Sequence, residues 1–212
     1  MKRSKFYLPV CGLLLAGQMA VAAQASPPAA PTRADAFSAP AAVDVAGQTL
    51  QLNGQGSHSQ AGLSVYDASL YLRQPVRDAQ AFLALDGPKR LHLVARRDIS
   101  VSELGRMMLS GVSNHGRRGL AMQHLAGLAQ LGEMFGRRRK IAAGESVDLE
   151  HWPLVGTLLL VNGKVVGSPV RDPGLFDLLM STWLGPEPVD EQLKAELLGL
   201  QGEQDLLARV QP

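Results

Sequence analysis

The chain is short of the residues that most often carry chemistry. Of its 212 residues only Cys11 is a cysteine, and it lies in an apolar run near the start. Once that run is removed, neither a thiol nucleophile nor a disulfide remains, and stability rests on packing. His58, His92, His115, His124 and His151 fall in neither a His-x-x-x-His nor a His-Glu-x-x-His spacing, so a local metal motif is absent. The Gly-x-Gly at Gly54–Gly56 finds a third glycine only at Gly62, and a strand-like tract follows where a phosphate loop needs a helix. "GVSNHG", at Gly111–Gly116, misses the Gly-x-Ser-x-Gly spacing by one residue and ends a helix, which makes it a terminating loop rather than a nucleophile turn. Charge of one sign is lacking too. Three of the 21 basic residues, Lys2, Arg3 and Lys5, lie in the first 25 residues; the remaining 18 face 19 acidic residues, a net −1. Nucleic acid is not an expected partner on that balance.

What is present begins with a secretory pattern. The basic start, the run "FYLPVCGLLLAGQMAVA" and the small residues "AQA" at Ala23–Ala25 read as a signal peptide over residues 1–25, cleaved after Ala25, with nearby alternatives after Ala22 or Ala23. The apolar run is short for a bilayer span of about 20 residues, so no stable membrane anchor is expected. The periplasm, or secretion beyond it, is the expected destination. Residues 26–42, rich in Pro, Ala and Ser, read as a disordered tether that cannot bury enough apolar surface to order itself. One domain over 43–201 and a polar tail over 202–212 complete the chain, and 46% hydrophobic with 19% charged residues suits a single ordinary core.

Within that domain the pattern alternates in blocks. "VDVAGQTLQLNGQG" predicts two short strands or a hairpin around a Gly-Gln turn, and "LNGQGSHSQ" reads as turn and strand entry. "GLSVYDASLYL" predicts a long strand with Tyr66, Ala68, Leu70 and Leu72 on a buried face and a mixed opposite face. Asp78 caps a short helix, "RLHLVARRDI" is a strand, and "SVSE" at Ser100–Glu103 forms a capping box. "GLAMQHLAGLAQLGEMF" predicts one helix, and Arg137–Lys140 beyond it reads as a solvated run that offsets the helix dipole. Asn162-Gly163 between two runs of β-formers predicts an antiparallel hairpin. Asp172 is the expected cap of the next helix, with Pro173 in its first turn and Gly185 as its stop; "DEQLKAELLGL" is the last helix. Hairpin strands plus paired helices indicate α+β, an antiparallel sheet with helices on one face, in about six or seven strands and four or five helices.

The order "LNGQGSH…LSVYDASLYL", "LALDGPKRLHLVARRDIS", "PLVGTLLLVNGKVVGS", "LFDLLMSTWLG" and "DEQLKAELLG", over about residues 43–199, resembles the chalcone isomerase-like family in its bacterial secreted branch. The resemblance implies an open-faced β-sandwich with a large antiparallel sheet, a helical layer on one face and a cleft between them. It also implies either cofactor-free cyclisation of an enone or non-catalytic binding of fatty acids. A catalytic site of this type must hold one anion and stabilise a developing enolate. The family's arginine falls by this pairing on His58, its strand threonine near Tyr66, and its asparagine on Asn114. Imidazole lacks the permanent charge and bidentate fork of a guanidinium. Arg96 and Arg97 are the alternative sources of positive charge in the cleft. Two readings follow: a periplasmic protein binding an apolar carboxylate through His58, Tyr66, Arg96 and Arg97, and an isomerase (intramolecular lyase) using His58, Tyr66 and Asn114. Neither needs a metal or other cofactor.

Overall fold

The computed structural model describes residues 38–113 and 118–200. The signal-like residues 1–25, most of the Pro- and Ala-rich stretch, Asn114 and the polar tail lie outside the described residues. From Ala39 on the chain engages the sheet: Ala39 N–H donates to Gln55 Oε1 at 2.9 Å, and Pro40 C=O accepts from Tyr71 Oη at 3.0 Å.

Seven antiparallel strands form one sheet in the order β1-β2-β3-β4-β7-β8-β9. They are β1 (Ala42–Val45), β2 (Gln48–Gln60), β3 (Leu63–Leu72), β4 (Lys89–Ala95), β7 (Ser146–Trp152), β8 (Gly156–Val161) and β9 (Lys164–Val165), while β5 (Ile99–Ser100) and β6 (Lys140–Ile141) pair separately. The helices are α1 (Ala79–Ala84), α2 (Val101–Ser113), α3 (Arg118–Gln123), α4 (Leu125–Gly136), α5 (Leu175–Leu184) and α6 (Glu191–Leu197). Both counts exceed the six or seven strands and four or five helices expected, because β5 and β6 carry no pattern of their own and one expected helix is two.

Period-two alternation sorts the strands into two unlike faces. Tyr66, Ala68, Leu70 and Leu72 of β3 join Leu91 and Leu93 of β4, Val147 and Leu149 of β7, and Leu159 and Val161 of β8 in the core beneath the helices. The other face is mixed: Val45, Leu50 and Tyr71 form a small apolar cluster on it, and its charged residues are cross-linked. Asp67 accepts from Ser57 Oγ at 2.5 Å and pairs with Arg96. Asp148 holds His92 Nδ1 at 2.6 Å, and Glu150 accepts from Arg90 Nε at 2.6 Å and from Trp152 Nε1 at 2.5 Å.

Local signals act as their chemistry dictates. Asp78 Oδ1 accepts from Ala81 N–H at 2.7 Å, and Ser100 Oγ accepts from Glu103 N–H at 3.1 Å. Asn162 and Gly163 both take positive φ, +50° and +72°, in the β8–β9 turn. The first hairpin turns at Ala46-Gly47, one residue earlier than the Gly-Gln expected. "LNGQGSHSQ" is not a turn: it lies wholly inside the 13-residue β2, with a register shift between Leu52 and Gly54.

Two helix expectations are corrected by one contact. The tract from Arg118 to Gly136 is two helices, broken at His124, whose Nδ1 meets Asp172 Oδ1 at 2.7 Å. That pairing takes the Asp172 side chain away from the next helix, so Gly174 stands at the N-cap of α5 with φ of +87°. A long-range hydrogen bond prevails over a local cap here.

Candidate functional site

Gly54, Gly56 and His58 fall on the helix-facing side of β2, opposite Leu70, Ala68 and Tyr66. Helix α6 lies directly on this row. A methyl group at Gly54 would stand 2.6 Å from Leu197 O, and one at Gly56 would stand 2.8 Å from Glu196 Cβ. Asn53 fastens the far end of the helix: its Nδ2 donates to Leu197 O at 2.7 Å and Val76 O at 3.1 Å, and its Oδ1 accepts from Val76 N–H at 2.7 Å. The glycines therefore let helix and strand backbones approach, and they cradle no phosphate.

The near end of α6 is held by His58. Asp190, the N-cap, accepts from Gln192 N–H at 2.9 Å and Leu193 N–H at 3.1 Å through Oδ1, and its Oδ2 faces His58 Nδ1 at 3.0 Å. An ionised carboxylate only accepts, so Nδ1 carries the proton and donates. Whether the imidazole is charged or neutral, the pair offers no surplus positive charge to an anionic ligand. Next to it, the Tyr66 ring tilts against His58 at a centroid separation of 5.1 Å, and Tyr66 Oη accepts from Trp183 Nε1 at 3.0 Å. Tyr66 is 2% exposed and Trp183 1%. Burial drives the Tyr66 phenol far above its ordinary pKa; the Trp183 hydrogen bond opposes that and the Asp190 charge adds to it. This hydroxyl stays a neutral O–H.

Of the remaining residues expected at the site, Arg96 and Arg97 are elsewhere. Arg96 reaches Asp67 on the face of the sheet away from the helices, so it does not share the cleft with Tyr66. Arg97 pairs with Glu103 in the first turn of α2 and holds its carboxyl below the usual range. Asn114 lies outside the described residues. Asp190 and Trp183, which the sequence did not single out for the site, complete it. Asp190 carried a signal, an acidic cap one residue before the helix, but nothing local linked it to a histidine 132 positions away.

Other clusters are less suited to catalysis. Ser69, His92 and Asp148 stand side by side across β3, β4 and β7. The Ser69 hydroxyl is fully buried and has no hydrogen-bond partner among the described residues, so the serine–histidine bond of a nucleophilic triad is missing. Among the described residues, no group of three or more His, Cys, Asp or Glu side chains could hold a metal ion.

At the far edge of the helical layer, His151 sits opposite Lys89 on the neighbouring strand, its ring 5.6 Å from that of Phe176. Burial lowers its pKa, the Lys89 charge lowers it further, and Asp177 partly offsets both. A histidine whose folded pKa is depressed contributes stability that is complete above its unfolded value of about 6.5 and is lost as pH falls below it. Thermal denaturation should therefore show a steeper loss of Tm between neutral and mildly acid pH in the native protein than in His151→Gln.

The family model described as chalcone isomerase-like matches residues 32–199. No curated protein matches the chain. Among solved structures it is similar to the crystal structure of a fatty-acid binding protein from Arabidopsis thaliana, at 18% identity and a TM-score of 0.52 over 76% of this chain and 91% of that one. At that identity the likeness concerns the fold: a large antiparallel sheet with helices on one face, as expected from the sequence. The family match spans most of the chain and agrees with this fold, so the chain belongs to the chalcone isomerase-like family.

Proposed function

We propose that this protein binds a small apolar ligand of the fatty-acid kind, and that it does not turn the ligand over. The carrying observation is how the reactive end of the site is closed. His58 is tied to Asp190 and Tyr66 to Trp183, leaving neither a fixed cation for an anionic nucleophile nor an exposed hydroxyl for a developing enolate. The ligand class rests on the Arabidopsis thaliana neighbour, whose fold this chain shares. The proposed setting is periplasmic or secreted, resting on the signal-like residues 1–25.

Native mass spectrometry of protein recovered from the periplasm tests both parts. The bare chain should have the mass of residues 26–212, and a second species should carry a non-covalent apolar acid released by organic solvent. A single apo species would count against binding, and an uncleaved chain against export through this signal.

The isomerase reading keeps one specific support. Asp190 fixes the Nδ1 proton of His58, which leaves Nε2 as the basic nitrogen in the manner of an oriented general base.

A further inference from the structure

A cavity of about 250 Å³ opens between α1, α5 and α6, and neither His58 nor Tyr66 lines it. Phe82 and Leu83 of α1 and Met180 and Leu184 of α5 supply apolar walls, and Lys194 of α6 stands at the mouth. Phe82 is buried, whereas Leu83 is 53% exposed at the rim, an apolar side chain left uncovered beside an apolar hollow.

The charges around the cavity differ in their commitments. Asp177 on one side is balanced by Lys89, whose Nζ lies 3.6 Å from its Oδ1 and 4.5 Å from the centre of the Phe82 ring. Lys194 is only partly engaged. Its Nζ donates to Gly185 O at 2.8 Å, and Glu191, a highly exposed carboxylate, stands 3.8 Å away, beyond hydrogen-bond reach. An ammonium has three donors, so two remain for a ligand. The Gly185 bond also fixes the ammonium at the C-terminal end of α5, where it offsets the partial negative charge of the last carbonyls.

From this geometry we infer that the pocket between α1, α5 and α6 is the seat of a short-chain carboxylate, with its alkyl tail against Phe82, Met180 and Leu184 and its head on Lys194. The inference rests on the apolar-ligand reading above and names a place for it other than the His58 end. The volume lies just below the about 300–1,000 Å³ typical of small-molecule sites, which favours a chain shorter than the common membrane fatty acids. Apolar burial supplies the affinity, and the ammonium selects an acid over a neutral molecule of the same length.

Isothermal titration of the delipidated protein with octanoate, and with octanol as a neutral probe of equal length, tests this. The native protein should bind octanoate more tightly than octanol. Lys194→Gln, which can keep the bond to Gly185, should weaken octanoate about tenfold and leave octanol unchanged. Ala79→Leu fills the pocket from the first turn of α1 with a good helix former and should weaken both probes about tenfold or more. Lys164→Gln, which alters an exposed charge on β9 outside the pocket lining, should change neither. If octanoate binds the two pocket variants as tightly as the native protein, the pocket assignment is overturned while apolar-acid binding stands. If octanoate fails to bind a protein that carries an acid when isolated, the pocket assignment falls alone. If the isolated protein carries no acid and octanoate does not bind, both fall.

Discussion

Gly54→Ala is expected to unseat α6 and to cost about 3 kcal/mol or more, at or above the usual range for overpacking. The methyl group would meet the backbone carbonyls of Glu196 and Leu197, and no rotamer change can move these aside. Relief requires the whole helix to lift, which would break the Asn53–Leu197 bond and pull Asp190 from His58. Gly56→Ala is the control. Its added methyl group meets the Glu196 carboxylate, which can swing into solvent, and the Glu196 Cβ at 2.8 Å, which cannot, so its loss should be smaller than that of Gly54→Ala, about 1–2 kcal/mol. Chemical denaturation of the two variants side by side reads the difference. Equal losses would show that α6 does not rest on Gly54 as described.

Trp183→Ala carries the second large effect. Trp183 fills the space between α5 and the sheet and is 1% exposed, so truncation should cost about 3–5 kcal/mol, a fall in Tm on the order of 10 °C for a chain of this length. Part of that loss is polar: the indole N–H is the donor to Tyr66 Oη, and its removal leaves a buried phenol oxygen without it. Tyr66→Phe separates the contributions. It keeps most of the volume but orphans the Trp183 N–H, which should cost about 1–3 kcal/mol. The alanine variant also opens a void beside His58. Where the native protein excludes solvent from Tyr66, the variant should admit small apolar molecules, as dry engineered cavities do.

Much of the architecture was legible because its causes are local. Alternation along β3, the Asn162-Gly163 turn, the caps at Asp78 and Ser100 and the stop at Gly185 each depend on a few neighbouring residues. Contacts between distant segments left no such trace. The split at His124 and the loss of Asp172 as a cap come from one pairing across 48 positions. Gly-x-Gly could be excluded as a phosphate loop, but its role depends on α6, near the other end of the domain, and no turn is needed to explain it. His58 was singled out through the family resemblance, yet its partner Asp190 stood only as the first residue of the last helical tract. Arg96 looked available because strand parity near a chain reversal does not say which face a long side chain follows; Asp67 draws it to the face away from the helices.

The most direct measurement is turnover of a hydroxychalcone by the purified native protein, followed on both sides of neutral pH against buffer. A site closed by the His58–Asp190 and Tyr66–Trp183 pairs predicts cyclisation at the buffer rate at every pH. Cyclisation above buffer that disappears in His58→Ala, with the fold intact, would contradict the account and make His58 a catalytic base.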